Sequence, residues 1–325
     1  MRIFENANYP FMGWRRRAYV VTAVLVLVGI GAMFMNWQRH GSWLNYGVDF
    51  RGGTLVQLDF DEPTNVEQIR AAAAAAGHPD WAITRFGGAD EFVVRMRSFE
   101  ESLETPIDQQ VQASLAPAFG ESFRVVRTEA VGPKVGGELQ VRALLAILLS
   151  FVATMLYLWI RFEWRFGVAA VVATVHDIVV TLGFLAFMHS EISLGTVAAF
   201  LTIVGYSLND TIVVFDRIRE NLAKPRHGRS MAELVDLSIN ETLPRTLLTG
   251  VSTLATLGSL ALLGGAVIRD FAVVLILGIV IGTFSSIFVA APVLHAVEAR
   301  FPRTPKKASP AVPSHSRQRA ARTTV

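Results

Sequence analysis

Six stretches of this sequence are apolar over close to the roughly 20 residues that a helix needs to cross a lipid bilayer. They run over Ala18–Trp37, Ala143–Ile160, Gly167–Met188, Leu194–Phe215, Thr246–Gly265 and Phe271–Pro292. Charged residues make up only 18% of the chain, against about 25% in a soluble domain. The sequence therefore predicts a polytopic α-helical membrane protein with six transmembrane helices.

Lys and Arg are unevenly distributed around the six stretches. Segments 1–17, 161–166, 216–244 and 293–325 hold 18 of the 30. The long segment 38–142 holds ten, but long loops count little in the positive-inside rule. We therefore expect both termini and the loop 216–244 in the cytoplasm, and the segment between the first two helices outside. The basic tail, 293–325, is rich in Pro, Ser, Ala and Arg and is expected to be disordered.

The segment 38–140 is predicted to be a separate extracytoplasmic domain, followed by a five-helix bundle over 141–292. Its apolar alternation and turn residues favour a βαββαβ order, which is typical of the ferredoxin-like α+β fold. The predicted elements are a strand Thr54–Phe60, a helix capped by Thr64 and Glu67, strands Trp81–Phe86 and Glu91–Arg97, a helix that Thr105, Pro106 and Asp108 open and that runs to about Phe119, and a strand Ser122–Thr128. A short amphipathic stretch, Met231–Glu241, is predicted before the fifth transmembrane helix.

Ionisable residues inside spanning helices cost about 2.5–3.5 kcal/mol each, so they usually mark function. His176 and Asp177 lie in the third predicted helix, Asn209 and Asp210 in the fourth, and Arg245 at the start of the fifth. Burial favours the neutral form of an aspartate, and a nearby guanidinium favours its charged form. Asp210 is thus predicted to exchange a proton with Arg245 as its competitor. The alternative is a structural role, with Arg245 extending to the membrane interface.

The neighbouring polar and small residues leave further alternatives open. Asn209 would either hold Asp210 by a hydrogen bond or join neighbouring helices. His176 titrates in a useful range but is equally compatible with a packing role. Gly278 and Gly282 form a Gly-x-x-x-Gly step that favours close helix packing.

Several classes of protein are excluded or disfavoured. The chain has no Cys, which excludes disulfides, thiol catalysis and cysteine-ligated metals. Neither a P-loop Gly-Lys-Ser/Thr nor a zinc-binding His-Glu-x-x-His occurs. Asp210 lies in Leu-Asn-Asp-Thr rather than the Gly-x-Gly-Asp of aspartyl intramembrane proteases, and no basic face interleaved with aromatic residues suggests nucleic-acid binding. We therefore expect no enzyme activity, no cofactor and no metal site.

Three segments together resemble one family. They are Gly-Val-Asp-Phe-Arg-Gly-Gly (47–53), Val-Gly-Pro-Lys-Val-Gly-Gly-Glu-Leu (131–139) and Gly-Tyr-Ser-Leu-Asn-Asp-Thr-Ile-Val-Val-Phe-Asp-Arg-Ile-Arg-Glu-Asn (205–221). These motifs, with His176-Asp177, resemble those of the bacterial SecD/SecF protein-export proteins over roughly residues 15–298. A single small outer domain favours the SecF branch, because SecD has a much larger outer region.

The resemblance implies a function. Members of this family form a complex with SecD, associate with the SecYEG channel and YajC in the bacterial cytoplasmic membrane, and use the proton-motive force to assist late translocation of unfolded polypeptides. Asp210 and Arg245 match the family's proposed proton-path residues, whereas Asn209, His176 and Asp177 match positions with less settled roles. Two alternatives are a stand-alone proton-driven exporter of small molecules and a structural scaffold of the channel.

The glycine-rich motifs flank the outer domain. Gly47, Gly52 and Gly53 permit a tight turn where a helix meets a strand, and Asp49 next to Phe50 can bond turn amides. Gly132 and Pro133 would form the matching return, since proline ends a strand. These residues are predicted to be a mechanical junction between domain and membrane rather than a binding site.

Overall fold

The computed structural model describes residues 7–86, 88–96, 106–225 and 228–302. Within them, six helices are long and apolar enough to cross a membrane. In chain order the elements are α1 (Phe11–His40), β1 (Asn45–Tyr46), α2 (Val48–Arg51), β2 (Gly53–Phe60), α3 (Val66–Ala75), β3 (Ala82–Arg85), β4 (Glu91–Met96), α4 (Ile107–Phe119), β5 (Phe123–Val131), α5 (Pro133–Arg161), α6 (Trp164–Phe187), β6 (Glu191–Ile192), α7 (Leu194–Ala223), α8 (Met231–Leu263), α9 (Gly265–Ser285), a π-helical turn (Ser286–Ala290) and α10 (Ala291–Arg300). The predicted six-helix architecture is confirmed.

The small domain between α1 and α5 is a ferredoxin-like α/β fold, as predicted. Its four strands are antiparallel in the order β3-β4-β2-β5. Helices α3 and α4 cover one face, and the core between them includes Leu58, Phe92 and Leu115. The predicted capping box of Thr64 and Glu67 is wrong by one residue: the Asn65 side chain accepts the amide of Gln68 at 2.9 Å. Arg97 and Thr105, at predicted element ends, lie outside the described residues.

The stretch Met231–Glu241 is helical, but it is not separate from the fifth transmembrane helix as predicted. Helix α8 runs without interruption from Met231 to Leu263, with Pro244 inside it. Ser230 and Glu233 form its capping box. Burial of Val235 and Ile239 against the bundle offsets the hydrogen bond that Pro244 cannot donate. Much of the predicted loop 216–244 is therefore helical.

The end of the chain also differs from prediction. After the π-helical turn, α10 continues to Arg300, so residues 293–300 of the predicted disordered tail are helical. Ala291 and Leu294 are buried in the bundle core, which accounts for this extension. Residues 303–325 lie outside the described part of the chain.

Glycines allow two pairs of helices to approach closely. A Cβ on Gly183 of α6 would lie 2.6 Å from the Cα of Gly29 on α1. A Cβ on Gly282 of α9 would lie 2.9 Å from the Cβ of Ser207 on α7, and one on Gly278 would overlap Ile203. The Gly278-x-x-x-Gly282 step thus serves close packing. It brings the backbones of α7 and α9 together at the level of Ser207.

The α/β domain joins the bundle at one end, which we call the domain end. Strand β1 pairs in parallel with β6, which lies between α6 and α7. Strand β5 ends at Val131, Gly132 precedes α5, and Pro133 is its first residue. The domain end is thus where helices α6 and α7 meet the α/β domain.

Candidate functional site

One face of helix α7 is buried in the interior of the bundle and includes the polar residues Ser207 and Asp210. Ile203, Ser207, Asp210 and Val214 recur at helical spacing and are buried, while the opposite face is exposed. Asp210 lies sixteen residues after Leu194, or about 24 Å along the helix at 1.5 Å per residue. It therefore lies well inside the bundle, away from the domain end.

Asp177 of α6 is fully buried and fully hydrogen-bonded. Its Oδ2 accepts hydrogen bonds from Ser207 Oγ at 2.5 Å and from Ser285 Oγ at 2.8 Å. Its Oδ1 lies 2.9 Å from Nδ1 of His176. Asp177 thereby ties α6 to α7 and α9.

Asp210 has a different environment. Its side chain is 3% exposed, and in the described part of the chain its Oδ2 has no hydrogen-bond partner. No ion pair links it to Arg245 among the described residues, although the charge of Arg245 acts on it from a greater distance. Two serine hydroxyls donate to Oδ2 of Asp177, whereas no donor reaches Oδ2 of Asp210 among the described residues. Asp210 therefore differs from Asp177 in having a buried carboxylate oxygen without a donor in the described part of the chain.

The structure does not bring all the predicted residues together. His176, Asp177 and Ser207 form one cluster, and Asp210 lies one turn from Ser207 on the same face. Arg245 lies inside α8, and both it and Asn209 are exposed on the outer surface of the bundle. No hydrogen bond of Asn209 occurs within the described residues, so neither predicted role for it is observed.

Other polar groups of the site were not predicted from the sequence. Ser285 donates to Asp177 from the last residue of α9, next to the π-helical turn. Such turns interrupt α-helices frequently at functional sites. In the described region, Thr246 Oγ1, Thr283 Oγ1 and His176 Nε2 are also buried without a partner. The available signal was the presence of hydroxyl residues in apolar helices, which does not indicate which of them meet.

The junction residues lie together at the domain end. Oδ2 of Asp49 accepts the backbone amide of Leu194 at 2.8 Å, so it bonds the start of α7 and not a local turn as predicted. Phe50 is buried against α7 and α9. Gly52 and Gly53 have φ values of 75° and 118°, which only glycine adopts freely. A Cβ on Gly47 would overlap the side chain of Glu191.

An ion pair also crosses this junction. Arg95 on β4 contacts Glu191 on β6, and both side chains are largely buried. Burial and the neighbouring Arg51 lower the pKa of Arg95. His189 packs against His40 with ring centroids 4.6 Å apart, and burial, followed by His40, Arg51 and Arg95, lowers the pKa of His189. This ion pair and the histidines were not predicted.

Two cavities lie between the sheet and the bundle. One of about 230 Å³ is lined by residues that include Asp49, Arg127 and Asp270, and one of about 260 Å³ by residues that include Arg95 and His189. Among the residues that the structure describes, no three His, Asp or Glu side chains are grouped to hold a metal ion. The junction is thus polar and incompletely packed, which is compatible with movement.

Comparisons with known proteins agree with this architecture. The model of the family described as "Protein export membrane protein SecD/SecF, C-terminal" matches residues 110–300, and that of the "SecD/SecF GG Motif" matches residues 41–64. A protein translocase subunit SecF of Gemmatimonas aurantiaca is 47% identical over 310 residues, 93% of this chain and 91% of that protein. The subunit SecF of Vibrio alginolyticus is 45% identical over 86% of this chain and 87% of that protein.

Solved structures show the same similarity. The crystal structure of SecDF, a translocon-associated membrane protein from Thermus thermophilus, matches with a TM-score of 0.79 at 36% identity. The match covers 92% of this chain but only 40% of the SecDF chain. A SecDF structure in a super-membrane-facing form matches with a TM-score of 0.63 at 37% identity, over 91% of this chain and 39% of that one.

Proposed function

This chain belongs to the SecD/SecF family of protein-export membrane proteins, and we propose that it uses the proton-motive force to assist late export of polypeptides. It is a multi-pass protein of the bacterial inner membrane with an accessory role in the Sec translocase. In our proposal, Asp210 takes up and releases a proton, and helix α7 passes the resulting shift to the α/β domain.

The observation that carries the proposal is the buried, unpartnered Oδ2 of Asp210. Burying an anionic carboxylate oxygen without a donor is costly, whereas the neutral acid is tolerated. One proton crossing 100 mV is worth about 2.3 kcal/mol, enough to bias a two-state equilibrium about fifty-fold. In our proposal, this energy shifts the packing of α7 when Asp210 takes up the proton.

Arg245 is proposed as the group that displaces the proton. Its guanidinium remains charged at all relevant pH values, and it acts electrostatically on Asp210 without forming an ion pair. A small rotation of α8 would bring it closer, and a paired arginine favours the charged carboxylate. Approach and retreat of Arg245 would thus release and accept the proton.

The exposed faces of α7 and α8 support a partner inside the membrane. Tyr206 donates a hydrogen bond to Thr253 at 3.2 Å and marks where the two helices meet. Beside it, small or polar residues face outward: Thr202, Gly205, Asn209, Arg245, Ser252 and Thr256. Small and polar residues favour helix association in lipid, and a guanidinium facing hydrocarbon is costly. We propose that SecD covers this face and that Asn209 contacts it.

The proposed topology follows the distribution of Lys and Arg. The domain end faces outward, and residues 1–17, the connection between α7 and α8, and the tail lie in the cytoplasm. On the outer side, the α/β domain would contact the unfolded polypeptide as it emerges from SecYEG, with YajC as a further partner. Since the chain has no Cys, the orientation can be tested by labelling single cysteines at exposed Arg70 or Arg229: only Arg70→Cys should react with an impermeant reagent added outside.

Asp210→Asn tests the proposed function in vesicles that contain the complex with SecD and the channel. We expect loss of the gradient-dependent part of export with normal assembly. Asp216→Asn is the matched control, because Asp216 lies on the same helix but is exposed. If Asp210→Asn retains gradient-dependent export, the proton role is wrong.

Co-purification separates this function from the alternatives. A translocase subunit should purify with SecD, whereas a stand-alone exporter of small molecules should not. A purely structural scaffold would purify with SecD but would tolerate simultaneous Asp210→Leu and Arg245→Leu substitution without loss of gradient-dependent export.

A further inference from the structure

Two hydrogen bonds attach the short helix α2 and the residue before it to β6 and the start of α7. Oδ2 of Asp49 accepts the amide of Leu194, the first residue of α7, at 2.8 Å. The amide of Gly47 donates to the carbonyl of Ile192 at 2.9 Å. These contacts join segments 145 residues apart in the chain. Helix α2 and the start of α7 therefore form one local unit.

Helix α2 leads directly into the α/β domain. Only Gly52 separates it from β2, which begins at Gly53. Strand β2 is central in the sheet and is paired along its length with both β4 and β5. A displacement of α2 is therefore applied to the middle of the sheet and not to a loose edge.

Phe50 fixes the position of α2 from the other side. Its ring is buried in a cluster that includes Phe200 and Ile203 of α7 and Ile279 of α9. Its carbonyl oxygen accepts a hydrogen bond from Gln140 Nε2 of α5 at 2.8 Å. Helix α2 thus contacts three membrane helices, and Ile203 lies one turn before Ser207 on α7.

We infer that Asp49 is a positioning residue that couples the displacement of α7 to the α/β domain. This inference rests on the proposed function, because it takes the proton site at Asp210 as the source of the movement. An α-helix transmits an axial shift along its length, so a shift at Asp210 moves the Leu194 amide. The Asp49 carboxylate follows that amide and moves β2 with it.

The capping of α7 does not by itself explain Asp49. Ser193 already caps this helix by accepting the amide of Thr196, with Thr196 Oγ1 accepting in return from the amide of Ser193. Asp49 accepts a further hydrogen bond from the amide of Leu194. Unlike Ser193 and Thr196, Asp49 belongs to a distant part of the chain. Removal of the Ser193 hydroxyl would weaken the helix start while leaving the link to α2 in place.

The test uses vesicles with the intact complex and compares three variants. Asp49→Ala removes the acceptor, Asp49→Asn keeps an oxygen that can accept the Leu194 amide, and Ser193→Ala is the matched control. We expect Asp49→Ala to lower gradient-dependent export at least tenfold without changing its ATP-driven part. Asp49→Asn should restore most of it, and Ser193→Ala should remain near the wild-type value.

Leu194→Pro is a second variant that removes the hydrogen bond between the Leu194 amide and Asp49. Proline is tolerated at the first position of a helix, and the extended backbone of Ser193 suits the residue before it. This variant removes the amide donor and leaves Asp49 intact, and we expect it to lose gradient-dependent export. It tests the same hydrogen bond if Asp49→Ala fails to assemble.

Three results would overturn the coupling role: normal gradient-dependent export in Asp49→Ala or Leu194→Pro, an equal loss in Ser193→Ala, or no recovery in Asp49→Asn. Asp210→Asn in the same assay separates the two proposals. Normal export in Asp210→Asn would overturn the proton role, whereas a loss there with normal export in Asp49→Ala would overturn only the coupling.

Discussion

The hydroxyl of Ser207 on α7 donates a hydrogen bond to the buried carboxylate of Asp177 on α6, with 2.5 Å between Oγ and Oδ2. One turn further along α7, the carboxylate of Asp210 is buried with an oxygen that has no partner in the described part of the chain. The two carboxylates therefore have different environments. Asp177 holds helices together, and in our proposal Asp210 exchanges the proton.

The structural role of Asp177 predicts a stability loss when its donors are removed. In Ser207→Ala/Ser285→Ala, Oδ2 of Asp177 stays buried without a hydrogen bond, which costs about 1–3 kcal/mol of unfolding free energy. Thermal unfolding in detergent, followed by circular dichroism, measures this. Ser259→Ala, at an exposed position of α8, is the control and should change little. Equal stability of the two variants would contradict the role.

The contact between α1 and α6 predicts that two Gly→Ala substitutions differ in their effect on stability. Gly183→Ala would place a methyl group 2.6 Å from the Cα of Gly29, and such overpacking typically costs about 1–3 kcal/mol. Gly31 lies on α1, as Gly29 does. In Gly31→Ala the new methyl group meets nothing within 4 Å, so the substitution should be neutral or slightly stabilising. Unfolding midpoints of the two variants in detergent test this. Similar midpoints would show that the helices do not approach so closely.

The ion pair between Arg95 and Glu191 predicts rescue by charge exchange. Arg95→Glu places two acids at the junction and should loosen the α/β domain from the bundle. Arg95→Glu/Glu191→Arg restores opposite charges and should recover most of the attachment. Hydrogen exchange of residues 188–195 reports the attachment. Faster exchange that persists in the double variant would mean that the pair does not fasten the junction.

His189 predicts a pH dependence of the same junction. Burial and the nearby cations lower the folded-state pKa of His189 below its ordinary value near 6.5. The unfolded chain therefore binds a proton first, so stability is fully present above pH 6.5 and decreases as the pH falls through the lowered pKa. His189→Asn should flatten this dependence, because Asn is neutral and tolerates the positive φ of this position. An unchanged pH profile of residues 188–195 in hydrogen exchange would exclude His189 as the cause.

The fold could be predicted from the sequence because it depends on two local sequence patterns, apolar runs and apolar–polar alternation. Apolar runs of membrane length gave the six helices, and alternation with turn residues gave the βαββαβ order. Helix ends were less predictable, since the extension of α8 through Pro244 depends on burial of Val235 and Ile239 by distant helices. The same holds for α10, where Leu294 is buried by tertiary contacts.

The site was predictable by residue type but not by geometry. A carboxylate in an apolar helix stands out, so Asp177 and Asp210 were identified. Asp177 is hydrogen-bonded because Ser207 and Ser285 donate to it. No sequence pattern distinguishes these two serines from the others in the membrane helices. Likewise, the Gly47–Gly53 motif indicated a turn, but the bond from Asp49 to Leu194 spans 145 residues and has no local signature.

Infrared difference spectroscopy can show whether Asp210, and not Asp177, exchanges the proton. Spectra of the complex with SecD in membranes would be compared between two pH values on the outer side. We expect a carboxyl protonation band that disappears in Asp210→Asn and persists in Asp177→Asn. A band that persists in Asp210→Asn, or that disappears only in Asp177→Asn, would contradict it.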